Sequence, residues 1–301
     1  MTDNTRKAHV CPLCKCNKAS DFHQLESFGY SVKYYQCSNC GLIFQDVNES
    51  QAGDPEFYKE IYRKIYQTSE APTPKDLRIQ QQRAENEVAF LIQNNVKSIK
   101  RALDIGASAG ELLDTYRYKY ACQVVGVEPG RLYREFAEAR GIEMFESLEV
   151  LLAKDVKCFD LISMMHVLEH VNDPLEMLKG LRENLLTPDG HLLIEVPNFY
   201  AHDSFELAHL ICFTKHSLIQ LLESAGYDIV AVKSHGFPRS KLLNLYLTVL
   251  ITPNHKEAKK FSVKLDRRVG LKRKIGFFYR RIVQKLFPGQ AWLPTDFKGL
   301  N

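Results

Sequence analysis

The sequence predicts an α/β fold in which a doubly wound, mainly parallel sheet is preceded by a small cysteine-bound module and followed by a basic helical tail. Three observations carry that expectation. The segment Arg101-Ala-Leu-Asp-Ile-Gly-Ala-Ser-Ala-Gly110 reads as a buried strand, a small-residue turn and then a helix beginning near Glu111; a second strand, Val124-Val-Gly-Val, ends on the acid Glu128. Apolar runs near residues 100–105, 123–127, 143–145, 159–164, 191–196 and 228–233 alternate with helical stretches, as in a parallel sheet covered on both faces. Four of the eight cysteines fall in two C-x-x-C pairs near the start. Divisions are expected at 1–47, 48–95, 96–250 and 251–301.

In the first division, Cys11-x-x-Cys14 and Cys37-x-x-Cys40 stand 22 residues apart. Each pair reads as a knuckle that aims two sulfurs at one point, and the segment between alternates like a hairpin (Phe28, Tyr30, Val32, Tyr34). Two knuckles make a tetrahedral four-thiolate site, for which zinc is the usual metal; a redox pair is the alternative. A closed set of four leaves no open position, so the zinc is expected to be structural. So short a module has little core, and the metal is expected to supply most of its folding energy. Cys16 and His23 read as bystanders.

The second division opens on a polar joint, Asn48 to Pro55, followed by a helical stretch from Glu56 to Gln67 that puts Tyr58, Tyr62 and Tyr66 on one face. That stripe either packs on the main domain or forms part of a lid. Ala71-Pro-Thr-Pro74 breaks the chain before a second helix, about Lys75 to Asn94.

In the third division Gly106 and Gly110 carry no Cβ, so the backbone can turn tightly and approach a ligand. Glu128 sits where a doubly wound sheet offers a carboxylate to a ribose diol. Dinucleotide binders need G-x-G-x-x-G for a pyrophosphate, whereas here Asp104 stands two residues before the first glycine. An acid there repels a pyrophosphate but suits a cation such as the amino group of a methionine moiety.

At these residues the chain resembles the class I S-adenosylmethionine-dependent methyltransferases, with their Rossmann-like sheet and D-x-G-x-G-x-G motif; it departs from that motif at Ala107 and Ser108. The segment Phe159 to Pro174, containing His166-Val-Leu-Glu-His170, looks like the fourth-strand signature of the ubiquinone-type branch, and Leu185 to Asn198 like its turn and fifth strand. The resemblance covers roughly residues 80 to 235. It assigns Asp104, Gly106, Ser108 and Gly110 to the cofactor's amino-acid end and Glu128 to its ribose hydroxyls. His166 is a candidate for the cofactor's methionine end or for the acceptor.

Methyl transfer is an in-line displacement, so the protein positions its reactants and, for some acceptors, removes a proton. His209, in the insertion Asp203 to Thr214 where this branch builds its acceptor pocket, is the first candidate base and His166 the second; an imidazole suits proton abstraction near neutral pH. His170 is expected to orient the following helix with Glu169. The ribbon, the core and a His before Phe-Thr are similar to sugar C-methyltransferases, which place Glu-His there; here the pair is Ala208-His209, so O- or N-methylation of a sugar fits as well. Expected acceptors are small molecules or glycans of surface-polysaccharide or secondary-metabolite pathways. Two alternatives stay open: an RNA base methyltransferase, since zinc ribbons also precede this core in guanine-methylating rRNA enzymes, and a non-catalytic scaffold.

The tail is strongly basic. From Asn254 to Phe287 twelve Lys and Arg face two acids, whereas the whole chain of 301 residues is only +4. Ile275, Phe278, Ile282 and Leu286 recur at helical spacing among Arg273, Lys274, Arg280, Arg281 and Lys285. Such a helix suits an anionic membrane surface, RNA, or docking on its own domain. Trp292 is either an interfacial anchor or a packing residue. No run approaches the roughly 20 apolar residues of a membrane span, Leu242 to Ile251 being the longest candidate. The N-terminus shows no apolar signal core, and the eight cysteines suit reduced thiols, so a cytoplasmic protein, peripheral to a membrane at most, is expected.

Overall fold

The structure, a computed structural model, describes residues 9–53, 71–154, 156–254 and 262–293. The helix expected to carry Tyr58, Tyr62 and Tyr66 lies outside the described residues.

The main sheet has seven strands: β4 (Arg101–Ile105), β5 (Gln123–Val127), β6 (Glu143–Phe145), β7 (Phe159–Met165), β8 (Leu186–Pro197), β10 (Tyr227–His235) and β11 (Tyr246–Pro253). Their order is β10-β11-β8-β7-β4-β5-β6. β4 pairs in parallel with β5 on one side and β7 on the other. The chain therefore winds outward through β5 and β6, then returns to start the other half beside β4. That reversal opens a crevice at the carboxyl ends of β4 and β7, where open α/β sheets take their ligands. Leu103, Ile162 and Ile194 are wholly buried, as the centre of a parallel sheet covered on both faces requires.

Two features depart from the expected pattern. Leu242 to Ile251, considered above only as an apolar run too short for a membrane, supplies most of β11, antiparallel to both β8 and β10. Periodicity hides it because Leu247, Val249, Leu250 and Ile251 are all buried, so no polar alternation marks it. The turn expected at Leu185–Gly190 is taken into the twelve-residue β8. It survives as a shift in pairing with β7, from Phe159↔Leu186 to Leu161↔His191, that leaves extra residues around Pro188 to bulge.

Helix α1 (Pro74–Gln93) begins with Thr73 and Asp76 capping each other's backbone and Pro74 in its first turn. Its buried Ala84, Val88 and Leu91 pack with Leu113 and Tyr116 of α2 (Glu111–Tyr120), which starts at the glycine turn. Around the sheet follow α3 (Arg131–Glu138), α4 (Leu148–Leu152), α5 (Pro174–Asn184) and α6 (Lys215–Ser224). The tail contributes α7 (Val269–Leu286) and the short α8 (Pro288–Ala291).

The cysteine module is a second, antiparallel sheet, β1 (Ala19–Ser27), β2 (Tyr30–Cys37) and β3 (Ile43–Phe44), extended by β9 (Ile211–Cys212) from the main domain. β1 and β2 form the expected hairpin, turning at Phe28-Gly29. The module also shares its core. Val32, Tyr34, Ile43 and Phe44 belong to the same buried cluster as Phe199, Leu207 and Phe213. Burial against the main domain therefore stabilises this sheet along with any metal, more than the expectation of a nearly coreless module allowed.

Candidate active site and metal centre

The turn after β4 follows from local sterics. Gly106 and Gly110 have φ of +77° and +85°, and a Cβ on Gly106 would stand 2.5 Å from the Val167 side chain. Ser108 is also left-handed, at φ +48°, where most side chains are disfavoured, and accepts a 3.1 Å hydrogen bond from Gln80 Nε2. The turn is tied to the next strand by Glu128: one carboxylate oxygen accepts from Ser108 N at 3.0 Å, the other from Gly130 N at 2.6 Å.

Asp104, Gly106, Ala107 and Ser108 line a cleft of about 140 Å³ with Gln80, Arg83, Ala84, Leu112 and Met165. Asp104 is almost wholly buried and accepts a 2.6 Å hydrogen bond from Ser163 Oγ. Burial pushes its carboxyl up to about 7, with the Glu128 charge adding to the rise against the Ser163 bond. It forms no ion pair with the described residues, so a cation reaching this cleft meets a buried carboxyl that lacks a positive partner.

His166 follows β7 at φ +57°. Its Nε2 lies 2.9 Å from Glu195 Oε1 and its Nδ1 3.4 Å from Glu169 Oε1, with Tyr246 edge-on to the ring at 5.1 Å. Burial and Arg83 favour the neutral ring, but the two carboxylates outweigh them and raise its pKa. Glu195 is itself saturated by His166, His235, Thr248 and Arg83, so this group reads as a closed ion-paired core. His166 is not among the residues lining the glycine-turn cleft.

The second cluster differs. Both Glu169 oxygens are buried and accept no hydrogen bond. His170 Nε2 lies 4.0 Å away, and one ligand atom from each of Glu169, His170 and His209 falls within 4.8 Å of the others. His170 Nδ1 lies 2.8 Å from the Ala208 carbonyl and His209 Nδ1 3.2 Å from the Ser204 carbonyl. A carbonyl only accepts, so each Nδ1 carries its proton and each Nε2 its lone pair. Burial lowers the pKa of both rings. Beyond them Glu206 Oε2 stands 3.8 Å from His209 Nε2. The expected role of His170 in orienting α5 gives way to a ring that faces the loop bearing His209.

That loop is held by the cysteine module. Tyr34 Oη donates to the Glu206 carbonyl at 2.7 Å and accepts from Glu206 N at 3.0 Å, while Gln45 Nε2 donates to the His209 carbonyl at 2.8 Å. Sequence reasoning missed Tyr34 and Gln45; the alternation that marked Tyr34 as inward-facing was the available signal.

The four cysteines meet as expected. Cys11 and Cys40 sulfurs are 3.5 Å apart, Cys14 and Cys37 likewise, and all four lie within 4.8 Å of one another. A tetrahedral zinc with sulfurs at about 2.3 Å needs sulfur separations of about 3.8 Å. Lys15 N and Gly41 N turn back to the carbonyls of Cys11 and Cys37 at 2.9 Å, closing both knuckles. Cys16 stays outside the group, its sulfur accepting from Lys18 N, and His23 stacks on Phe205 at 4.1 Å.

A sheet reversing its winding at β4, a glycine turn there and an acid closing the next strand define the class: an α/β domain built to bind a nucleoside-bearing cofactor. The chain belongs to the methyltransferase domain family, whose model matches residues 77–232. It is 26% identical over 159 residues to a ubiquinone biosynthesis O-methyltransferase of Neisseria meningitidis serogroup C, covering 44% of this chain and 66% of that one. To the enzyme of the same name from Actinobacillus pleuropneumoniae serotype 7 it is 32% identical over 110 residues, covering 33% and 46%. The chain thus spans about half to two thirds of these relatives. A solved S-adenosylmethionine-dependent methyltransferase from Archaeoglobus fulgidus aligns with a TM-score of 0.48 and 17% identity, covering 66% of this chain and all of that one. Among the described residues no helix is long and apolar enough to cross a membrane.

Proposed function

We propose that the chain transfers the methyl group of S-adenosylmethionine to a hydroxyl of a small-molecule or glycan acceptor, such as a sugar of a surface-polysaccharide or secondary-metabolite pathway. One observation carries the reading: the cleft at Asp104 adjoins, through Gly106 and Val167, the segment that bears Glu169 and His170, whose side chains meet His209 of a second loop. The cofactor fits this cleft because its amino group would give the buried Asp104 carboxyl the positive partner it lacks. Gly106 and Ser108 would border its amino-acid end, with Gly110 shaping the turn, and Glu128 would receive its ribose hydroxyls. When bound, the cofactor supplies an electrophilic methyl group on a sulfonium. Everything else falls to the protein.

His209 is the preferred base. Its Nδ1 proton is committed to Ser204, burial keeps the ring neutral, and its Nε2 lone pair is left to receive the acceptor's proton. His166, paired to two carboxylates, is better placed to orient than to accept. The relatives named O-methyltransferases favour oxygen over carbon as the methylated atom. The Glu169 carboxylate, whose buried oxygens accept no hydrogen bond, favours a second reading of the same cluster, in which Glu169, His170 and His209 hold a divalent cation that polarises the acceptor oxygen. Metal analysis separates the two: two equivalents in wild type, one at the four thiolates and one lost in His209→Ala, support the cation; one equivalent in both supports the base. We assign zinc to Cys11, Cys14, Cys37 and Cys40 as a structural ion.

Transfer of labelled methyl into fractionated cell extract tests the activity. Label in glycan or small molecules supports the reading, and label confined to RNA or protein overturns it. Failure of wild type to bind S-adenosylmethionine in calorimetry would remove the enzymatic reading altogether.

A further inference from the structure

Helix α7 is seated on the protein in an unusual sense: it turns Arg273 and Arg280 inward and an apolar stripe outward. Val269, Arg273, Gly276, Arg280 and Val283 recur at intervals of three and four and face the domain. Arg273 donates to the carbonyls of Phe199 and His202, with its guanidinium over the Phe199 and Phe205 rings at 4.2 and 4.5 Å. Arg280 donates to the Ala201 carbonyl at 2.9 Å and pairs with Asp203. Gly276 passes so close to the Tyr200 carbonyl that a Cβ would stand 2.0 Å from it. The docked face is therefore fully committed, and it rests on the segment between β8 and β9 that also carries His209.

On the opposite face Leu271, Ile275, Phe278, Ile282 and Leu286 form one stripe, 40–66% exposed. Lys274, Arg281 and Lys285 run along one flank of it, all exposed, and the helix contains no acid. An aliphatic stripe bordered by cations has the composition of a helix lying in a lipid–water interface. Among the described residues nothing of its own domain covers the stripe, because the other face is the one that is docked. A second copy would set cations beside cations with no acid on either helix to offset them. An RNA would satisfy the basic row but offers nothing apolar to Leu271, Ile275, Ile282 and Leu286.

We propose that this face of α7 rests on an anionic lipid bilayer, with the stripe at the headgroup–acyl boundary and Lys274, Arg281 and Lys285 on anionic headgroups. The helix then lies parallel to the membrane, and the His209 segment beneath it faces acceptors carried on a lipid. That last consequence rests on the proposed methyl transfer; the contact itself does not.

The test is cosedimentation of the full chain with phosphatidylcholine vesicles, with and without phosphatidylglycerol, beside calorimetry with S-adenosylmethionine on the same samples. Wild type is expected to bind only the anionic vesicles, less at high salt. Lys274→Glu/Arg281→Glu/Lys285→Glu should lose about a hundredfold or more in vesicle affinity, since each basic residue near such a surface contributes about a factor of five. Ile275→Ser/Phe278→Ser should also release the protein, with cofactor affinity unchanged in both variants. Absence of vesicle binding by wild type, or binding that neither variant weakens, overturns the inference. So does a wild-type dimer abolished by Phe278→Ser, or salt-sensitive RNA retention, where vesicles do not bind. Vesicle binding without cofactor binding would leave the membrane contact standing and sink the methyl transfer.

Discussion

Asp104 and Glu128 are both carboxylates at strand ends, yet their surroundings set them different tasks. Asp104 has one hydroxyl donor and no cation partner among the described residues, so it gains most from a charged ligand; Glu128 already holds two backbone amides and spans the turn. Asp104→Ala is expected to weaken S-adenosylmethionine at least tenfold in calorimetry while leaving thermal stability nearly intact. Glu128→Ala should lower both, because the turn loses its brace; equal effects of the two would contradict the distinction. Glu87, wholly buried on α1, offers a pH test. Burial first, and then the Glu195 charge, push its carboxyl well above the usual range. The folded state thus prefers the neutral form, and stability is lost as pH rises through the raised pKa. Glu87→Gln keeps the donor from Asn86 satisfied and removes the ionisation. Its melting temperature should exceed wild type by a margin that grows with pH; a margin constant across pH would refute the assignment.

The secondary-structure elements act mainly as positioning devices. The cysteine sheet stands beside the Glu169–His170–His209 cluster because β9 joins it and Tyr34 and Gln45 grip the loop from Ser204 to His209. Tyr34→Phe is expected to reduce kcat severalfold with cofactor affinity unchanged, since the loop loses its tie while the glycine turn is untouched; a Kd shift without a kcat effect would argue against that role. Loss of a knuckle should travel the same route. Cys37→Ser, or removal of the metal by a strong chelator, should melt the hairpin and depress turnover before the main sheet unfolds, visible as an earlier, separate transition in calorimetry. At α7 the deciding position is Gly276. A larger side chain meets the Tyr200 backbone, so Gly276→Val should detach the helix and free Arg273 and Arg280 from the carbonyls they satisfy, read as protease sensitivity confined to the tail.

At the scale of the whole chain, three units that look separate along the sequence prove to be interlocked. Asp266, in the tail, accepts hydrogen bonds from Thr214 and Tyr200 of the main domain, pairs with Lys272, and donates its backbone N–H to the Cys40 carbonyl of the second knuckle. Gly41 lies directly under the Asp266 carbonyl. Cysteine module, main domain and tail therefore meet around one buried carboxylate, and disturbance of any one is transmitted to the loop that bears His209. Asp266→Ala should accordingly lower the stability of the whole assembly, by about 2–3 kcal/mol for a buried charge-assisted network, and chemical denaturation would read it.

Local order alone carried a large part of this. Strand, glycine turn, helix and acid from Arg101 to Glu128 lie within thirty residues, and each is set by sterics and burial that neighbours along the chain decide, so the sheet and the cleft at its glycine turn were legible. The two C-x-x-C knuckles are likewise local, and their meeting required only a hairpin between them. Contacts across the fold were not legible. β11 has no alternation to betray it, the Glu169–His170–His209 group joins residues from two loops, and Tyr34 reads as an ordinary aromatic of the hairpin until its hydroxyl finds Glu206 172 residues away. The tail shows the division most plainly: helical spacing announced an amphipathic helix, but which face would be buried depended on carbonyls of Phe199, Ala201 and His202 that only the folded chain presents, and these took the arginines, leaving the aliphatic stripe to the solvent side.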